Sequence, residues 1–159
     1  MNKKVKFLCH AAIIAAIYVV LTFLASVMGL SSGVIQVRFS EALCILPYFT
    51  AAAVPGVTVG CLLANIVTGC APLDIALGPI ATFIGALIAY FLRKHKWLVP
   101  LPSVLANMAI VPYVLIKAYG AEDAYPFLLL TVGIGEVISI YGLGMLLLFA
   151  LEKRKKIFA

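Results

Sequence analysis

The chain has 159 residues, of which 65% are hydrophobic and 11% charged, and its formal net charge is +6. Soluble domains carry about 25% charged residues, so this composition excludes a soluble globular protein. It predicts a single integral membrane domain, residues 1–159, embedded in a lipid bilayer. The basic residues lie in short clusters between apolar blocks, a pattern that reports membrane orientation and not nucleic-acid binding.

The first predicted span covers residues 7–28 and follows the basic residues Lys3, Lys4 and Lys6. This apolar run is longer than the core of a cleaved signal peptide and long enough to cross a ~30 Å hydrocarbon layer. We therefore expect a membrane helix that is retained.

The next apolar block, residues 42–69, is too long for one span, and Pro55-Gly56 lies at its middle. Proline disfavours helix in the residue before it, and glycine eases a turn. The pair predicts a break between two short spans, residues 39–54 and 56–70. Three further spans are predicted at residues 75–92, 97–118 and 126–151.

Basic clusters determine how these spans are counted. Besides the N-terminal lysines, Arg93, Lys94 and Lys96 follow the fourth span and residues 153–156 follow the last. If every cluster faces the cytoplasm, an even number of crossings separates each from the next. The prediction is an all-α bundle of six transmembrane helices with both termini cytoplasmic.

Three outer segments then remain, residues 29–41, 70–74 and 119–124, and the first has an alternating pattern that favours extended chain. Polar side chains gather on the outer halves of the spans, whereas the inner halves are nearly bare. Charges inside a membrane are costly and mark functional positions. This distribution predicts an outward-facing binding pocket. The candidate residues are Arg38, Glu41, Asn65, Asp74, Asn107, Tyr113, Glu136 and Tyr141.

Several of these residues have a structural alternative. Arg38 and Glu41 are three apart and could simply pair with each other. Asp74 could cap the helix that follows it, and Asn65 and Asn107 could bond neighbouring helices. Glu136 lies deep in its span, where a carboxylate needs a proton or a donor-rich partner, so it is the strongest candidate for ligand contact.

The charge balance of the predicted pocket indicates the chemistry of its ligand. The carboxylates Glu41, Asp74 and Glu136 outnumber the cations Arg38 and Lys117. A cationic or donor-rich heterocycle therefore fits better than an anion. A guanine-like edge offers adjacent N–H donors, which a carboxylate accepts in pairs.

The sequence lacks the residue patterns expected for metal binding, nucleotide binding or catalysis. The four cysteines form no C-x-x-C pair and the two histidines lie apart, so no metal site is predicted. No phosphate-binding G-x-x-x-x-G-K motif occurs, and no nucleophile and base stand together. We expect a protein that is not an enzyme, holds no cofactor and takes its energy from elsewhere.

Three segments resemble the QueT family: VRFSEALCILPYFTAAAVPGVTVGCLLAN at 37–65, PLDIALGPIAT at 72–82 and GEVIS at 135–139. The resemblance implies a substrate-specificity (S) component of an energy-coupling factor (ECF) transporter in the cell membrane. The implied substrate is a queuosine precursor, a 7-deazaguanine base such as preQ0, preQ1 or queuine. The implied partners are a transmembrane coupling subunit and two cytosolic ATPases, which use ATP. Glu41 would then face the bound base, with Arg38 beside it.

S components typically dock through small residues of their first helix. Two A-x-x-x-A pairs fit this role here: Ala11 with Ala15, and Ala12 with Ala16. Small residues four apart allow close helix approach, either to a partner or within the chain. Two other functions stay open: a stand-alone cation-coupled carrier with Glu136 as its ion site, and a structural membrane subunit that binds no ligand.

Overall fold

The computed structural model describes residues 2–30 and 35–154, and all regular secondary structure within these ranges is helical. The elements are α1 (Lys3–Val27), a 3₁₀ helix (Phe39–Tyr48), α2 (Ala53–Val67), α3 (Pro72–Phe91), α4 (Leu101–Tyr119), α5 (Tyr125–Glu136), a π segment (Val137–Gly144) and α6 (Met145–Glu152). The all-helical prediction is confirmed. Residues 31–34 of the predicted outer loop, and Lys155 and Lys156 of the basic tail, lie outside the described ranges.

Four helical stretches of the described chain are long and apolar enough to cross a membrane. They are Lys3–Val27, Pro72–Phe91, Leu101–Tyr119 and Tyr125–Glu152, the last of which joins α5, the π segment and α6 without interruption. The 3₁₀ helix and α2 are also apolar but have only 10 and 15 residues. The chain is therefore a multi-pass membrane protein.

Prolines and glycines mark the helix ends. Proline occupies one of the first two positions of α3, α4 and α5, where its missing N–H costs no hydrogen bond. Gly69 and Gly120 follow α2 and α4 with φ of 71° and 66°, the left-handed conformation that ends helices.

The predicted break at Pro55-Gly56 is wrong in position. Both residues lie inside α2, and the helical path is interrupted at residues 49–52. Pro55 falls in the first turn of α2, a position that tolerates proline because the first N–H groups have no partner within the helix. The two predicted short elements exist, but they join a few residues earlier than the dipeptide indicated.

Close packing shows that α1 and α2 run in the same direction. A Cβ atom at Gly56 would lie 3.0 Å from the Ala11 carbonyl oxygen, and one at Gly60 would lie 2.7 Å from the Tyr18 Cβ and 3.1 Å from the Ala15 Cα. Higher numbers on α2 thus meet higher numbers on α1. The intervening 3₁₀ helix must therefore return the chain to the end at which α1 began.

The 3₁₀ helix lies alongside the last helical stretch, also in the same direction. The Arg38 N–H donates to the Ser139 Oγ at 3.2 Å near its start, and the Tyr48 hydroxyl donates to Glu152 at 3.0 Å at its end. Short turns make α3 antiparallel to α2 and α4. The N-terminus of α1, the turn at residues 93–96 and the end of α6 thus share one end of the bundle, where Lys96 and Glu152 form an ion pair at 3.5 Å.

The core lies where α1, the 3₁₀ helix, α2, α3 and the last helical stretch meet. Small residues allow this close approach, since Ala53, Ala86 and Ala89 have no exposed surface. Larger side chains fill the space between them. The largest fully buried apolar ones include Tyr18, Ile45, Val57, Val99, Ile140 and Leu148. Close helix contacts at small residues and a few large buried side chains thus fix the positions of the helices.

Candidate binding site

A cavity of about 330 Å³ opens at the end of the bundle opposite residues 93–96. This volume lies within the usual range for small-molecule sites, roughly 300–1,000 Å³. Its walls come from α1, the extended segment before the 3₁₀ helix, the ends of α2 and α3 with the turn between them, and α4. The lining residues are Thr22, Ser26, Gln36, Arg38, Asn65, Thr68, Cys70, Asp74, Val111, Val114, Leu115 and Tyr119.

Asp74 is the acidic group of the cavity wall, and it is only 6% exposed. The Tyr119 hydroxyl donates to its Oδ2 at 3.0 Å and accepts from the Ala71 N–H at 3.1 Å. The Asn65 amide donates to the Asp74 carbonyl oxygen at 3.0 Å. The capping alternative for Asp74 is wrong, because Ala71 is the N-cap of α3. The Asp74 carboxylate is instead held by Tyr119 and turned to the cavity.

Arg38 brings a positive charge to the same wall. Its backbone is extended, as predicted for this segment, and its half-buried guanidinium interacts electrostatically with Asp74 and Glu41. No ion pair within 4 Å joins it to a described residue, so the simple Arg38–Glu41 pair is wrong. The guanidinium is left with donors that a ligand can use.

Glu41 does not line the cavity. It is 2% exposed and lies behind the wall, where the Tyr18 hydroxyl donates to its Oε1 at 2.6 Å and the Cys44 thiol to its Oε2 at 3.2 Å. Both carboxylate oxygens therefore have a partner within the chain. The expectation that Glu41 faces a bound base does not match this placement, because the 3₁₀ helix turns its side chain toward α1.

Glu136 and Asn107 lie deeper, beyond the described cavity lining. Glu136 is 8% exposed, and its Oε2 is buried without a hydrogen-bond partner in residues 2–30 and 35–154. Asn107, at 5% exposure, is close enough to influence this carboxyl group. It lies one helical turn below Val111, which lines the cavity. Glu136 also ends α5 where the π segment begins, and such π-bulges are frequent at functional sites.

Two of the predicted site residues do not line the cavity. Tyr113 is 48% exposed on α4, and Tyr141 donates its hydroxyl to the Trp97 carbonyl oxygen at 3.1 Å. Trp97 belongs to the turn at the other end of the bundle. The rotational phase of α4 places Tyr119, and not Tyr113, at the cavity.

The α1 wall was missed by the sequence prediction. The Thr22 hydroxyl donates to the Tyr18 carbonyl oxygen at 2.9 Å and shares a hydrogen bond of 2.8 Å with the Ser40 hydroxyl, and Ser26 follows one turn later. Tyr18, Thr22 and Ser26 are spaced by four on an otherwise apolar helix. That spacing places them on one face and was a usable signal.

The four alanines proposed for docking separate into two pairs. Ala15 is 6% exposed and Ala11 half-buried, and both pack against the α2 glycines. Ala12 and Ala16 are exposed on the outer surface of α1. Within the chain, the first pair serves the α1–α2 contact, and the second pair stays open to a partner.

Several membrane-length helices, with a solute-sized cavity at one end of their bundle, define a multi-pass membrane protein. Among the described residues, no group of three His, Cys, Asp or Glu side chains could hold a metal ion. Arg38, Asn65 and Asp74 of the cavity lining offer hydrogen bonds and charge.

Comparison with known proteins gives the family. The sequence model of the QueT transporter family matches residues 8–153. The chain is also 29% identical over 154 residues to the queuosine precursor transporter QueT of Lactococcus lactis subsp. cremoris (strain MG1363), covering 90% of each chain. No solved structure matches significantly. The chain belongs to the QueT transporter family, as its sequence motifs predicted.

Proposed function

We propose that this chain is the substrate-binding S component of an ECF importer and that it takes up a queuosine precursor, a 7-deazaguanine base such as preQ0, preQ1 or queuine. The observation that carries the proposal is the cavity itself. It is solute-sized, lined by Arg38, Asn65 and Asp74, and lies opposite the basic turn in a member of the QueT transporter family. The relative from Lactococcus lactis is named a queuosine precursor transporter.

The proposed topology has six crossings with both termini cytoplasmic, in the cell membrane. Its support is the alternation of chain direction, in which α1, α2 and α4 oppose the 3₁₀ helix, α3 and the last helical stretch. The 3₁₀ helix rises roughly 20 Å at ~2.0 Å per residue, and α2 rises roughly 22 Å at ~1.5 Å per residue. Both are short of a ~30 Å layer, which leaves room for the cavity at the outer end. Basic residues at the other end favour a cytoplasmic location for that end.

Recognition would depend on matching a guanine-like edge. A carboxylate accepts two adjacent N–H groups, and Asp74 is the acidic group already at the wall. Asn65 and Arg38 can serve the carbonyl oxygen and ring nitrogens of the base. Glu136 would join from below, since its Oε2 has no hydrogen-bond partner among the described residues.

The chain would act with a transmembrane coupling subunit and two cytosolic ATPases and would itself bind no ATP and catalyse no reaction. Its sequence has no phosphate-binding loop. Ala12 and Ala16 are exposed on α1 and fit a close helix–helix contact with the coupling subunit.

Uptake of a labelled base by a host that depends on salvage tests this proposal. We expect uptake only when the host produces both this chain and the coupling module. Equal uptake with and without the chain would contradict it, and an inactive ATPase variant serves as the control for energy coupling.

A second candidate, a stand-alone cation-coupled carrier, is favoured by one observation: the unpartnered Oε2 of buried Glu136. A proton or sodium ion bound there would satisfy it. Uptake that survives removal of the cytosolic ATPases but stops when the ion gradient is dissipated would support this candidate against the first.

A further inference from the structure

A second, smaller cavity of about 150 Å³ adjoins the main one. Gln36 and Leu115 line both cavities, so their side chains form the partition between them. We propose that this side chamber is a subsite for the substituent carried on the 7-position of the base, and that it makes the protein able to accept queuine with its bulky cyclic diol. The inference rests on the proposed function and adds the substrate range to it.

The lining of the side chamber is mixed in a way that suits a small hydroxylated ring. Phe127, Leu128 and Val132 supply an apolar wall, and Asp123 and Thr131 supply oxygen atoms. The Thr131 hydroxyl donates to the Leu128 carbonyl oxygen at 3.1 Å, so its own lone pairs are left to accept. A ligand hydroxyl can donate to Thr131 or to the Asp123 carboxylate while the ring carbons contact the apolar side.

The partition is held by defined backbone contacts. A Cβ atom at Gly135 would overlap the Gln36 carbonyl oxygen, so the segment that carries Gln36 lies directly on α5. On the other side, the Ala121 N–H donates to the Leu115 carbonyl oxygen at 3.1 Å, which ties the α4–α5 loop to α4. The chamber is therefore built from three anchored elements.

Because the two cavities have largely different lining residues, substitutions in one should affect a different part of the ligand from substitutions in the other. The main cavity is large enough for a fused bicyclic base, and a base without a substituent has no atoms to place beyond Gln36 and Leu115. Changes inside the side chamber should then affect queuine and leave unsubstituted 7-deazaguanine alone.

Filling the chamber tests this directly. Ala121 lines the chamber from the loop, so Ala121→Phe reduces its volume without altering a helix core. The matched control is Ala124→Phe, an exposed position on the same loop that lines neither cavity. Titration calorimetry on the purified full chain with 7-deazaguanine and queuine gives the two affinities. We expect Ala121→Phe to weaken queuine binding at least about tenfold and to change 7-deazaguanine binding less than about twofold, with no effect of Ala124→Phe.

Asp123→Asn provides an independent test that does not depend on added bulk, and its control is Glu122→Gln, a neighbouring carboxylate that lines neither cavity. We expect Asp123→Asn alone to weaken queuine binding by about threefold or more, again with 7-deazaguanine unaffected. Queuine affinity unchanged in Asp123→Asn, or equal losses for both bases in either chamber variant, would overturn the subsite. If the unmodified protein binds neither base, the proposed function itself fails, so the two failures are distinguishable.

Discussion

Two buried carboxylates illustrate how single residues divide between structure and ligand binding. Both oxygens of Glu41 accept a hydrogen bond, from Tyr18 and Cys44, whereas the Oε2 of Glu136 has no partner in the described part of the chain. A buried acceptor without a partner costs about 1–3 kcal/mol, and more when it is charged. Glu41 therefore stabilises the wall behind the cavity, and under the proposed function Glu136 is the group that the bound molecule would satisfy.

Tyr18→Phe should destabilise the fold by about 1–3 kcal/mol, because it removes a buried donor from the Glu41 carboxylate and adds none. Denaturant unfolding of the purified protein in detergent measures the change. Tyr113→Phe is the matched control, since that ring is 48% exposed and should lose little. Equal stability of the two variants would show that the Tyr18–Glu41 hydrogen bond contributes nothing.

Glu136→Gln should weaken base binding by roughly tenfold or more, since one charged hydrogen bond contributes about 1.5–3 kcal/mol. The folded state should persist, because glutamine keeps the shape of the side chain. Titration calorimetry measures the affinity, with Glu152→Gln at the opposite end of the bundle as the control. An unchanged affinity in Glu136→Gln would assign Glu136 a purely structural role.

Sequence reasoning predicted that Arg38, Asn65 and Asp74 lie together, as they do in the cavity lining, because polar residues at span ends on one side of a membrane converge on one place. It could not separate Tyr113 from Tyr119, since both lie near the same end of α4 and the choice depends on how that helix is rotated against its neighbours. Hydrogen bonds between residues far apart in the sequence could not be predicted either. The bond from Tyr18 to Glu41 joins residues 23 apart, and no local pattern predicts it.

At the scale of elements, the 3₁₀ helix determines the shape of the site. Its ten residues return the chain toward the basic end while carrying Arg38 at the outer end, opposite Asp74. Hydropathy predicted a short second element but not its 3₁₀ form, because both helix types bury apolar side chains. The break predicted at Pro55-Gly56 was wrong for a different reason, because a proline in the first turn of a helix and a proline at a helix break look alike in sequence.

Gly135→Ala should displace the segment that carries Gln36 and Arg38. A Cβ atom would overlap the Gln36 carbonyl oxygen, and overpacking of this kind costs about 1–3 kcal/mol. Base binding should fall together with stability, as measured by calorimetry and unfolding. Gly142→Ala lies in the same helical stretch with its nearest neighbouring atom 4.0 Å away, and it should be tolerated. Similar behaviour of the two variants would contradict the close contact.

Ala12→Trp or Ala16→Trp should impair ATP-driven uptake while the solitary protein still binds its base. Both positions are exposed, so the added bulk meets a partner and not the chain itself. Ala15→Trp should instead disrupt folding, because Ala15 packs against Gly60. Uptake assays paired with calorimetry separate the effects. Normal uptake in both exposed variants would place the docking surface elsewhere.

At the scale of the whole molecule, the two ends of the bundle differ in chemistry. One end has the basic residues of the turn at 93–96 and the Lys96–Glu152 ion pair, and the other has the polar cavity. Asp74 and Arg38 bring one negative and one positive group to that cavity, while Glu41 lies behind its wall and Glu136 lies deeper in the bundle. This asymmetry fits the proposed function, in which a small molecule is collected on one side of the membrane and positive charge orients the protein on the other.

Titration calorimetry of the purified, solitary chain with the aminomethyl base preQ1 tests the central claim most directly. Adenine serves as the control, because its pairing edge lacks the adjacent N–H donors that a carboxylate accepts. The account predicts saturable binding of one preQ1 per chain and no measurable binding of adenine. No saturable binding of preQ1, or equal binding of both bases, would contradict it.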